Sequence, residues 1–155
     1  MRASPISFLL SALLLCLAAV GVQAATCDNK CRERGLAAYI KAIVSHKKED
    51  ADAIPLKDPF ARFESFNGLG PFQTAASAAE LRRTTQLGAS TLAYKSSEIK
   101  FTHYNNQTVR GEYVLSIGLL SGVVPITTTA TTTYANFDGK NIQRIDIYTQ
   151  SPAPK

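Results

Sequence analysis

Few side chains in this sequence can do acid–base work at neutral pH, and their surroundings narrow the choice further. The two histidines are His46 and His103. His46 stands among Lys47, Lys48 and Glu49 at the end of a helical pattern, where a solvated ring beside the helix C-terminus is expected. His103 lies in a strand-like stretch next to Tyr104. Turned inward it is the one imidazole base on offer; turned outward it is an exposed strand residue. Tyr113 and Tyr134 can present hydroxyls to a ligand and serve equally well as core aromatics. Asp146 is flanked by Ile145 and Ile147, the natural inward pair, so Arg144, Asp146 and Tyr148 are expected on the outer face of their strand. Asp58, beside Pro59, reads as a strand-start or turn residue. No glycine-rich phosphate loop or metal-ligand cluster is present in the pattern, and a protein without a cofactor is expected.

Cysteine usage and the chain ends set the compartment. An apolar run from Ile6 to Val20 follows Met1-Arg2 and ends in Val22-Gln23-Ala24, the small-residue pattern of a cleavable signal peptide over residues 1–24. Cys16 leaves with it, so Cys27 and Cys31 remain together in an oxidising compartment and are expected to pair. Four residues apart in a helix is near the upper limit for a disulfide, so Cys27 has to stand outside the regular helix. Their spacing suits neither a redox C-x-x-C motif nor a metal site. Asn106-Gln107-Thr108 is a glycosylation sequon, which in a eukaryotic secretory pathway puts Asn106 on the surface. The expectation is a secreted, extracellular protein with no membrane segment once mature. Net charge is +5, but the basic residues are scattered and answered by neighbours such as Glu49, Asp50 and Glu80, which argues against nucleic-acid binding.

The elements that must position these groups follow from periodicity. Without residues 1–24 the chain is about 130 residues, one domain over 25–150 with residues 151–155 as a disordered tail. Leu36, Ile40, Ile43 and Val44 recur at helical spacing and predict an amphipathic helix over residues 30–46. A helical turn over 48–53 ends at Ile54-Pro55. Phe60, Arg62, Glu64 and Phe66 alternate with Ala61, Phe63 and Ser65 in a strand closed by Asn67-Gly68. Residues 74–87 read as a second helix ending at Gly88. Strands are then expected over 98–104, 109–119, 126–137 and 142–148, the third a threonine-rich β-branched run whose inward parity the sequence leaves open. Helix, strand, helix and several antiparallel strands make an α+β layout with helices on one face of a sheet.

That order, with Ala37-Ala38-Tyr39-Ile40, the segment Ala61 to Gly68, and Phe137-Asp138-Gly139-Lys140-Asn141-Ile142 running on to Tyr148, resembles the nuclear transport factor 2-like superfamily. Secreted fungal SnoaL-like proteins are the most similar group within it. The resemblance covers nearly all of the chain after residue 24, but its motifs are those of a fold shared by proteins of very different function. It implies a cone: a curved antiparallel sheet wrapped around N-terminal helices, an apolar cavity open at one end, and often a homodimer through the outer face of the sheet. Members include ketosteroid isomerase, scytalone dehydratase, polyketide cyclases and binding domains without chemistry. The resemblance sets Tyr39 near the isomerase's oxyanion tyrosine, where a phenol can hydrogen-bond a developing enolate. It sets Ser65 and Ala130 near the isomerase's two carboxylates, and neither is one. Tyr39, Ser65, Tyr113 and Tyr134 are therefore the expected pocket residues, and Tyr39 with His103 the expected catalytic pair. Two functions follow: a secreted domain holding a small apolar molecule, as an isomerase, dehydratase or cyclase of secondary metabolism, or a non-catalytic effector or carrier on the same scaffold.

Overall fold

The computed structural model describes residues 27–87, 92–119 and 122–152. The expected signal peptide, with Cys16, and residues 153–155 lie outside the described residues. Helix α1, Asn29–Ser45, begins where Asp28 caps it: the Asp28 carboxylate accepts a hydrogen bond from the Cys31 backbone N–H at 2.7 Å. Cys27 stands before this cap, outside the helix, and bridges Cys31 with their Cα atoms 5.3 Å apart. Leu36, Tyr39, Ile40 and Ile43 form one buried stripe along the helix. A short helix α2, Lys48–Asp52, follows.

Strand β1, Leu56–Phe66, begins before Pro59, earlier than the alternation alone indicates. The Asn67-Gly68 turn, with φ of 49° and 82°, returns the chain into β2, Leu69–Ala75. Part of that strand was expected to be helix. The helix, α3, instead runs Ala78–Leu87, because Ser77 and Glu80 form a start signal: Ser77 Oγ accepts from the Glu80 N–H at 3.1 Å, and Glu80 reaches back to the Ala76 N–H at 2.7 Å. The strands β3, Ala93–Ser96, and β4, Lys100–His103, both pair with β5, Thr108–Leu119. Long strands β6, Val124–Asp138, and β7, Asn141–Gln150, complete one seven-stranded sheet in the order β2-β1-β7-β6-β5-β3, with β4 also on β5. The expected all-antiparallel sheet is corrected on one point. β1 and β7 run parallel, Arg62 beside Ile145 and Glu64 beside Ile147, so the sheet is mixed.

The helices fill the concave face. Gly111 on β5 gives α1 its seat, since a Cβ there would lie 2.9 Å from Leu36 Cδ2. Ile142, Ile145, Val109 and Ala135, all fully buried, form the sheet's side of the core. Ser151, assigned to the tail by sequence, is held at the β1–β2 turn: its N–H donates to Asn67 Oδ1 at 2.8 Å, and Asn67 Nδ2 donates to its carbonyl at 3.2 Å.

Candidate functional site: a threonine-walled cavity in the cone

Alternation along β6 decides the chemistry of the interior. Its residues pair across β5 and β7, so odd positions face one side and even positions the other. Thr129, Thr131 and Thr133 point inward and are buried, whereas Ala130, Thr132 and Tyr134 face out. Between this strand, α1 and the inner faces of β1, β5 and β7 lies a cavity of about 310 Å³. Ile43, Leu115, Ile117 and Ile147 supply apolar wall; Tyr39, Arg62, Glu64, Tyr113 and the hydroxyls of Thr127, Thr129 and Thr131 supply polar wall. Tyr39 and Tyr113, 0% and 5% exposed, close the deep end, and Phe66 and Leu92, 50% and 38% exposed, stand where the cavity meets solvent.

Each polar group has a definite state. The Tyr113 hydroxyl and Thr133 Oγ1 are 2.8 Å apart. Burial pushes the Tyr113 phenol well above its ordinary pKa, with the neighbouring Tyr39 adding to the rise. Burial also raises Tyr39, and the adjacent Arg62 pulls the other way. The Arg62 guanidinium carbon lies 5.8 Å from the centre of the Tyr39 ring, and Arg62 forms an ion pair with Glu64. The Tyr39 hydroxyl is buried beside the Arg62 guanidinium, which can only donate to its oxygen, and its O–H donates no hydrogen bond among the described residues. A neutral phenol in that state is a donor waiting for an acceptor.

The residues singled out by sequence divide in two. Tyr39 and Tyr113 line the cavity. Ser65 and Tyr134 were expected there and face outward: Ser65 lines a groove with Asn67 and Tyr148, and Tyr134 packs between Tyr104 and Tyr148. The reason is strand parity, because Ser65 alternates with inward Glu64 and Tyr134 with inward Thr133. Ala130 faces out for the same reason, so a missing carboxylate at Ser65 or Ala130 says nothing of the interior. Its carboxylate is Glu64. His103 is not a wall of the cavity; its Nε2 lies 2.8 Å from Glu33 Oε1 on α1. His46 is not a solvated ring. It caps α1 at φ 57°, and its Nε2 lies 2.7 Å from the Ala93 carbonyl oxygen. Asp58 accepts from the Ala78 N–H at 2.8 Å and so helps start α3. Arg144 and Asp146 pair on the outer face. Asn106 is exposed between β4 and β5.

Arg62, Glu64 and the inward threonines escaped the sequence reading as site residues. A signal for the first two existed: they share the Phe60–Phe66 face of an alternating strand. For the threonines there was none, since threonine occupies both parities of β6. Among the described residues no group of three or more metal-binding side chains occurs, and no helix is long and apolar enough to cross a membrane.

No protein-family model matches the sequence, and no curated protein matches it. Solved structures do match. A protein of unknown function with a cystatin-like fold from Methylobium petroleophilum superimposes at TM-score 0.61 and 13% identity, covering 84% of this chain and 82% of the other. A nuclear transport factor 2-like protein from Anabaena variabilis gives 0.60 and 13%, over 79% and 88% of the two chains. A candidate isomerase from Bacillus subtilis gives 0.58 and 8%, over 77% and 86%. With identities this low the likeness is one of backbone architecture, and on that ground the chain has the nuclear transport factor 2-like fold.

Proposed function

We propose that this is a secreted binding protein whose cone holds one small, mainly apolar molecule, anchored at the deep end by an acceptor group that takes the Tyr39 hydrogen bond. The observation that carries the reading is the pairing of an apolar-walled cavity of about 310 Å³ with a buried phenol whose O–H donates no hydrogen bond among the described residues. Pockets of this kind combine apolar burial with a few placed polar groups that orient the ligand. The Cys27–Cys31 bridge and the apolar run before Val22-Gln23-Ala24 support secretion.

Native mass spectrometry of the protein after incubation with an extract of its producer's culture tests this. A stoichiometric adduct is expected, weakened roughly tenfold in Tyr39→Phe, the worth of one hydrogen bond. Absence of any adduct, or an adduct indifferent to Tyr39→Phe and to filling the cavity, would overturn it.

Glu64 favours a second reading, because it is a carboxylate in the same cavity as Tyr39: a proton-transfer enzyme with Glu64 carrying the proton and Tyr39 stabilising the oxyanion. Glu64 is already committed to Arg62, which favours binding over proton transfer. The two readings separate on Glu64→Gln. Turnover of the captured molecule that is lost in this variant, with binding retained, would establish the enzyme.

A further inference from the structure

The outer face of the sheet carries a feature that the cone does not use. Tyr104, Tyr134 and Tyr148 form a connected aromatic row with ring centres 6.3 and 5.9 Å apart, the second pair edge to face. Tyr104 and Tyr148 are 40% and 52% exposed. The middle ring is held in place, with the Arg110 guanidinium carbon 5.9 Å from its centre. Beside the row, Arg144 grips both Asp146 oxygens, at 2.8 to 3.1 Å. The three rings and Asp146 line a shallow groove of about 340 Å³, and the exposed Asn106 of the sequon lines the same groove, together with Asn136. The attachment atom for a glycan and a preorganised aromatic platform with amide and carboxylate at its edge therefore face one space.

We propose that Asn106 carries an N-linked glycan and that the groove seats its first N-acetylglucosamine units, sugar face on tyrosine ring, with Asn136 and Asp146 receiving the polar edge. This rests on the chain entering a eukaryotic secretory pathway, which the mass of the product tests separately. In the attachment step Asn106 Nδ2 bonds to the anomeric carbon of an N-acetylglucosamine delivered on a lipid diphosphate. The carbon–oxygen bond to the diphosphate breaks, the diphosphate leaves with the electron pair, and the amide nitrogen gives up one proton. Thr108, the hydroxyl residue of the sequon, is 5% exposed and hydrogen-bonds Asn136, so transfer precedes folding of this segment. The platform then finds its sugar already tethered, at little further entropic cost.

The full-length chain expressed in a eukaryotic secretory host gives the test. Intact mass should show one N-glycan, absent from Asn106→Gln; that substitution is preferred to one at Thr108, which is buried. Enzymatic removal of the glycan should lower Tm by roughly 3–6 °C in the wild type and by less than about 1 °C in Tyr104→Ser/Tyr148→Ser, whose altered side chains are exposed. The acetamido methyl proton signal of the first sugar should lie upfield in the wild type, by ring current, and return to its free position in the double variant. An unmodified product overturns the proposal, as does a glycan whose removal changes Tm equally with and without the tyrosines. Saturable binding of free N,N′-diacetylchitobiose to Asn106→Gln with no tyrosine-dependent stabilisation by the attached glycan also overturns it, assigning the groove to an external saccharide. So does a dimer of the glycosylated wild type that Tyr148→Ser dissociates, since a second copy would then occupy this face.

Discussion

Tyr39 concentrates the cost and the use of the cavity in one atom. A buried hydroxyl whose proton is donated to nothing is a stability liability. Tyr39→Phe is therefore expected to keep or raise stability by up to about 1 kcal/mol while ligand affinity falls, a split that urea titration beside binding measurement would show. The same residue makes an alkaline prediction. Its phenol is raised above the usual 10.0 by burial. Below that pH the folded and unfolded phenols are both protonated, and the stabilising effect of keeping it neutral is fully present. Above it the unfolded phenol ionises while the folded one keeps its proton, so stability falls by about 1.4 kcal/mol per pH unit until the folded phenol ionises as well. Tyr39→Phe should make the alkaline limb of the stability curve shallower by that slope, leaving the contribution of Tyr113, which burial shifts in the same direction. An unchanged limb would mean that the phenol titrates freely. Equilibrium unfolding at several pH values above about 9 decides it.

Helix α1 is positioned by close approach as much as by its apolar stripe. Gly35 lies mid-helix, where alanine would ordinarily add about 0.5–1 kcal/mol. A Cβ at this position, however, would lie 2.8 Å from the Phe137 ring and 3.2 Å from Pro55. Gly35→Ala is expected to destabilise by roughly 1–3 kcal/mol, the overpacking cost outweighing the propensity gain. A rise in Tm would show that the helix can slide on the sheet. The helix start tests a second determinant: Asp28→Ala removes the cap and should cost about 1 kcal/mol, with the disulfide intact. One determinant at this end was open in the sequence, since the Cys27–Cys31 spacing demanded a break just there. The Gly35 contact was not, because Phe137 lies more than a hundred residues away.

Across the whole molecule, the cone trades packing for space. Ala93 lines the cavity at 2% exposure, and Ala93→Leu would fill part of it. Stability is expected to hold or rise by up to about 2 kcal/mol while ligand binding is lost, the signature of a cavity kept open for use. Thermal melts and native mass spectrometry on the same variant would show both, and loss of stability with binding intact would count against the cavity as the site. The α+β class, the α1 stripe, the Asn67-Gly68 turn and the long final strands were legible along the chain, because periodicity and turn chemistry are local. The disulfide was legible because compartment and spacing limit the partners of Cys27 to Cys31. Folding had to decide the rest. Strand β2 was masked by Pro71 and an alanine-rich stretch, and it exists because β1 offers an edge after a tight turn. The parallel β1–β7 pairing joins segments some eighty residues apart. Above all, a strand reading threonine on both faces carries no parity of its own. Only pairing β6 with β5 and β7 turned Thr129 and Thr131 inward and Tyr134 outward, and so set the cavity's chemistry and left a tyrosine row on the surface: a side chain's face is a property of register, and register is settled by partners that the local sequence does not contain.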